Sequence, residues 1–154
     1  MVGLGYAAVR SIPVDKHLRM DLPVLEQTIA ADQAAGHQPF LLIGTAGTTG
    51  GGAIDSLTSL ADIAQRHDLW FHVDAAYGGA AILDPQLQPF LAGIERSDSI
   101  TFDAHKWLSV PMGASMFLTS HRDILGQTFR ITTDYMPKDA GELTITDPFT
   151  HSVQ

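Results

Sequence analysis

Two apolar runs of strand length, FLLIGTA (40–46) and LWFHVD (69–74), bracket a segment whose apolar residues recur at helical spacing. Few folds accept that order. Between the runs Leu57, Leu60, Ala61 and Ala64 recur at three, four and seven residues, which predicts a helix from about Asp55. A strand, a crossover helix and a second strand predict parallel pairing with a right-handed connection. Two more runs follow: DSITFDA (98–104), after an irregular connection holding Pro85 and Pro89, and GASMFLT (113–119). The link HKWLSVPM is too short for a helical crossover, so the fourth strand is expected to return antiparallel. Upstream, Asp21 is placed to cap a helix running to about Ala35, with Pro23 in its first turn, Leu22, Leu25 and Ile29 on one face, and Gly36 just past its end. The fold class expected is α/β, a mostly parallel sheet with flanking helices. Periodicity fades from Tyr135, so 1–134 read as part of one domain and 135–154 as a loop region leading out of it.

A chain of 154 residues that is 45% hydrophobic can build one ordinary core. Its 17 acidic and 9 basic residues give a formal net charge of -8, with no dense Lys/Arg stripe, which argues against nucleic acid and anionic membranes as partners. With no cysteine, disulfides, thiolate catalysis and zinc–cysteine sites are excluded, and a cytoplasmic location is compatible. The start MVGLGYAAVRSIPVD lacks the features of a signal peptide, and no run reaches the roughly 18–20 apolar residues of a spanning helix. An apolar, strand-like start and an abrupt stop at HSVQ are what a fragment would show.

In parallel α/β sheets, ligands lie outside the carboxyl ends of the strands. That rule selects AGTTGGG (46–52), DAAYGG (74–79) and DAHKW (103–107), and sets Thr49, Asp74 and Lys106 along a single edge. Each has an ordinary explanation. The glycines could serve a turn, and they lack the GxxxxGK[ST] and GxGxxG spacings of phosphate loops. Asp74 could cap a helix. Lys106 could reach solvent past Trp107, and His72, inside an apolar run, reads as a core histidine with satisfied nitrogens. Yet an unpaired carboxylate carried into the interior asks for a cation. Metal is disfavoured beside a cationic lysine, and a triad of Ser109, His105 and Asp74 lacks the GxSxG elbow. A lysine Schiff base on pyridoxal phosphate, with the aspartate against the pyridine nitrogen, uses both charged groups, and the ring N–H⁺ is then the missing cation.

At these residues the sequence resembles the group II pyridoxal-phosphate-dependent amino-acid decarboxylases, the family of aromatic-amino-acid, glutamate and diaminobutyrate decarboxylases. PFLLIGTAGTTGGGAIDSL, LWFHVDAAYGGAAIL and GIERSDSITFDAHKWLSVPMGAS carry the resemblance in the family's order, over nearly the whole chain. It implies part of the large domain of a fold-type-I transferase-like enzyme, with 1–134 as the partial cofactor-binding domain. It implies decarboxylation of a small-molecule L-amino acid to an amine and CO₂, and a homodimer when full length. It further implies that Lys106 bonds the cofactor, Asp74 keeps the pyridine nitrogen protonated, Ala76 packs near the ring, Thr49 approaches it, and His105 contacts a phosphate or carboxylate. Another fold-type-I lyase, aldolase or aminotransferase, or a truncated non-catalytic remnant, is the alternative.

Two departures stand out. Many members have Asn-Pro before His-Lys where this chain has Asp103-Ala104, and an acid there would repel a phosphate unless it faces elsewhere. The product carbon is protonated in several members by a loop tyrosine, at a position that falls on Pro148 here; Tyr135 is the nearest alternative, and Phe149 cannot donate a proton.

Overall fold

A computed structural model of the chain describes residues 4–129. The first helix, α1 (Leu22–Ala34), starts where expected: the Asp21 carboxylate accepts the Val24 N–H at 3.1 Å and Pro23 lies in the first turn. Gly36, at φ 82°, follows its end. Then come β1 (Leu41–Thr45), α2 (Leu57–His67), β2 (Trp70–Asp74), β3 (Ser99–Asp103), the single turn α3 (Ala104–Trp107) and β4 (Ser115–Thr119). The connection from β2 to β3 is three short 3₁₀ segments, Gly78–Leu83, Gln88–Leu91 and Ile94–Arg96. Closely spaced prolines at 85 and 89 leave no room for a regular crossover helix there.

The sheet runs β1-β2-β3-β4, parallel across the first three strands, from Leu41↔Trp70 to Thr45↔Asp74 and from His72↔Ser99 to Asp74↔Thr101. As the short link requires, β4 returns antiparallel, with Ser99 opposite Thr119 and Asp103 opposite Ser115. Alternation along the strands sorts the side chains. Leu42, Phe71 and Val73 are buried in one cluster with Leu25 and Ile29 of α1 and Leu57 and Leu60 of α2. Helix α2 lies so close that a Cβ on Gly44 would fall 2.7 Å from Leu60 Cδ1. The opposite face carries Leu41, Ile43 and Phe117, which are 43%, 49% and 49% exposed.

Asp55 does something the helical pattern did not suggest. Ser56 is the residue that precedes the helix, without a side-chain capping bond, and the Asp55 carboxylate accepts the Met20 N–H at 2.7 Å and the Thr45 N–H at 2.8 Å, tying the segment before α1 to the end of β1. Asp55→Ala strands both donors and is expected to cost about 2–3 kcal/mol, read by chemical denaturation.

Among the described residues, 4–120 form one compact unit and 121–129 belong to a second. In the second, α4 (Ile124–Phe129) is entered by a bond from the Ile124 N–H to the His121 carbonyl. Residues 135–154, with Tyr135, Pro148 and Phe149, lie outside the described residues. Among the described residues no helix is long and apolar enough to cross a membrane.

Candidate functional site

The loops after β1, β2 and β3 leave from one edge of the sheet. The parallel ladder continues into them: the Ala46 N–H donates to the Asp74 carbonyl at 2.8 Å and the Ala75 N–H to the Thr101 carbonyl at 3.0 Å. The first two loops then interlock through glycines. A Cβ on Gly78 would lie 2.3 Å from the Ala46 carbonyl oxygen, and one on Gly47 would lie 2.8 Å from Gly78 Cα. Only a missing side chain permits that approach. The second and third loops meet through rings, Tyr77 standing edge-on to Trp107 with centroids 5.7 Å apart. Thr49, Asp74, Ala76, His105 and Lys106 therefore all issue from the carboxyl edge.

Their environments differ from one another. Asp74 ends β2 on the open face and is exposed, which corrects the expectation of an interior carboxylate: the strand alternates, and its register puts Asp74 with Trp70 and His72 rather than with buried Phe71 and Val73. Its Oδ1 accepts the Ala76 N–H at 3.1 Å, and among the described residues it has no ion-pair partner. Ala76 is half-buried. Thr49 is exposed, while its neighbour Thr48 closes the loop, its hydroxyl oxygen accepting the Ala53 N–H at 3.0 Å.

On the third loop, Lys106 Nζ lies 2.9 Å from Asp103 Oδ2, the acid being 12% exposed and the amine 31%. Ser115 stands opposite on β4, and its hydroxyl first, then Lys106, holds the Asp103 carboxyl below the usual range. His105 Nδ1 is 3.1 Å from the Ala114 carbonyl, so it carries the proton and donates, and Nε2 faces Asp103 Oδ2 at 3.9 Å. Ser109 is exposed, with left-handed backbone at φ 56°. The His105 ring is thus directed to Ala114 and Asp103, not to Ser109 or Asp74. Asp103 as partner of Lys106 was not foreseen, although an acid three residues before a lysine at a helix start is a readable signal.

His72 has both nitrogens satisfied, as expected, but on the open face of the sheet rather than in the core. Nδ1 is 2.7 Å from Ser99 Oγ, Nε2 is 3.2 Å from Thr101 Oγ1, Trp70 Nε1–H donates to Ser99 Oγ at 2.8 Å, and the Phe117 ring stacks on the imidazole. Burial holds the His72 pKa below the ordinary 6.5, against the opposing pull of the Asp74 carboxylate. As pH falls, the unfolded chain takes up this proton first. The stability His72 contributes is therefore complete above about pH 6.5 and is lost progressively below it. Melting temperature is expected to drop from about pH 7 to about pH 5, and to drop less steeply in His72→Gln.

Chemically, the edge offers a carboxylate with an open oxygen, a lysine amine and no Lys or Arg within AGTTGGG (46–52) or DAAYGG (74–79). That donor set suits a flat, cationic heteroaromatic ring bearing a group that an amine can attack. Residues 1–153 match the family described as the pyridoxal-dependent decarboxylase conserved domain. The aromatic-L-amino-acid decarboxylase of Bacillus atrophaeus is 39% identical over 136 residues, 88% of this chain and 28% of that protein. Mouse CSAD in apo form superposes with a TM-score of 0.82 at 38% identity, over 89% of this chain and 29% of that one. Oryza sativa TDC with PLP and tryptamine superposes with a TM-score of 0.85 at 34% identity, over 92% of this chain and 30% of that one. The chain spans less than a third of the length of each.

Proposed function

This chain belongs to the pyridoxal-dependent decarboxylase family, and on that premise we propose that, within a longer enzyme, it removes CO₂ from an L-amino acid and leaves the amine, using pyridoxal phosphate. The observation that carries the reading is the convergence of an exposed, unpaired acid and a lysine at one sheet edge, on loops locked together by Gly47–Gly78 and Tyr77–Trp107. When bound, the protonated pyridine ring draws electrons away from the bond that breaks.

The chain's own residues set up that chemistry. Asp74 presents a fixed negative charge to the ring nitrogen; its Oδ1 is already oriented by the Ala76 N–H, so little reorganisation is needed. Lys106 supplies the amine that carries the cofactor and takes it back after each turnover. Ala76 leaves room for the flat ring, Thr49 approaches it from the first loop, and His105 contacts the cofactor phosphate or the substrate carboxylate from the third. Residues 1–134 are the cofactor-binding part and 135–154 the loop region leading out of it. We read the longer enzyme as a cytoplasmic homodimer. The absence of cysteine is compatible with that compartment, and the exposed Leu41, Ile43 and Phe117 support burial against further protein.

The test is product analysis. Purified enzyme of native length, given pyridoxal phosphate and each of the common L-amino acids, is expected to yield an amine and CO₂ in equal amounts from at least one of them. A keto acid, or a carbon–carbon cleavage that releases an aldehyde, would assign an aminotransferase or an aldolase instead; no turnover of any would leave a non-catalytic remnant.

A further inference from the structure

We propose that Asp103 is the positioning residue for Lys106, holding the lysine's charged amine at the tip of β3 until the aldehyde of the cofactor takes that nitrogen; this rests on the function proposed above. Asp103 is the last residue of β3, and α3 begins at the next, so Lys106 follows one helical turn later on the same side. The two charges meet at 2.9 Å. The acid is only 12% exposed and ends a paired strand, opposite Ser115 of β4, so it forms a fixed anchor rather than a mobile surface group. A family member with asparagine here keeps the shape and the hydrogen-bonding reach but not the charge. This arrangement also answers the objection to an acid near a phosphate, because its charge is directed at the lysine.

The anchor has two opposed effects. It removes rotamer freedom from a four-carbon side chain, keeping the nitrogen where it is needed. It is also an ion pair that must break before the nitrogen can reach the aldehyde. Capture of the cofactor then requires Lys106 to release a proton to solvent; Nζ forms a C=N bond with the aldehyde carbon, and the aldehyde oxygen leaves as water. The positive charge that faced Asp103 disappears in that step. The titratable group that faces the pair is His105 on α3, 3.9 Å from the same carboxylate oxygen, while Tyr77, from the loop after β2, stands against the neighbouring Trp107. From β4 comes the uncharged hydroxyl of Ser115.

The experiment follows capture itself, not turnover. Native-length protein is mixed with pyridoxal phosphate at neutral pH and a series of salt concentrations and quenched at intervals with borohydride, and the pyridoxyl group on Lys106 is quantified by peptide mass spectrometry. In Asp103→Asn, capture is expected to be about tenfold faster than in the unmodified protein at low salt, and to lose the acceleration that salt gives the unmodified protein by screening the ion pair. Asp103→Glu, which keeps the charge, is expected to retain the original rate and salt response. Asp103→Ser serves in place of the asparagine variant should that one fail to fold, with the same expectation. An uncharged variant with an unmoved rate and salt response, or with capture slowed equally at every salt concentration as a purely structural lesion would do, overturns the proposal. Attachment at a different lysine in the unmodified protein overturns the assignment of Lys106 instead, so the two failures are distinguishable.

Discussion

Lys106→Ala is expected to lower turnover by at least about 10³-fold, the scale on which loss of an enzyme's covalent nucleophile acts. It is also expected to abolish the visible absorbance the cofactor gains on bonding to lysine. The same substitution should leave the fold intact. Lys106 is exposed on the one-turn helix α3 and belongs to no part of the buried cluster around Phe71 and Leu60. Surface truncations of that kind stay within about 0.5 kcal/mol. The carboxylate it leaves behind still has the Ser115 hydroxyl and partial access to water. A variant that melts like the unmodified protein, yet shows no cofactor absorbance and no turnover, separates a chemical role from a structural one. An unchanged spectrum in the variant would remove Lys106 from the mechanism. The loop that carries it and the loop after β2, held to each other by Tyr77 and Trp107, would then need another explanation for their convergence.

Much of this architecture is legible in the chain because it follows from short-range rules. The order of apolar runs and helical spacing was enough for a parallel sheet, and the eight residues HKWLSVPM were too few for anything but an antiparallel return. Where reading failed, the missing information was long-range. Asp55 sits where a helix start is expected, but two backbone donors from distant segments claim its carboxylate. LWFHVD reads as buried on both sides, whereas only alternate residues face the helices, and a single sequence gives the period without saying which face is covered. That is why Asp74 was placed inside. Its chemistry was legible even so, because strand order alone put it on the edge with Lys106. Asp103 was passed over for a different reason: it was weighed against a phosphate that lies outside the chain, not against the amine one turn away.

The contact between the first two loops is the part of the site that sequence leaves least visible, and substitution there has the largest expected effect on stability. Gly78→Ala is expected to destabilise the protein by about 3 kcal/mol, the sum of an overpacking cost and a lost buried hydrogen bond. The added methyl would sit 2.3 Å from the Ala46 oxygen and 2.9 Å from its carbonyl carbon. Both are backbone atoms at the end of a paired strand, so neither can swing aside as a side chain could. The loops must part, and the bond from the Gly78 N–H to the Ala46 carbonyl, 3.0 Å long, goes with them. At this chain length the melting temperature should fall by about 10 °C, measured by circular dichroism. Gly50→Ala, in the glycine run of the facing loop, is the control. A Cβ there meets nothing within 4 Å and the backbone is not left-handed, so its melting temperature should hold or rise slightly. Capture of the cofactor should follow the same split, lost in the first variant and kept in the second, because parting the loops moves Asp74 away from the segment that carries Thr49. Equal melting temperatures for the two variants would mean that the two loops are not locked together through Gly78 and that the edge is not a built site.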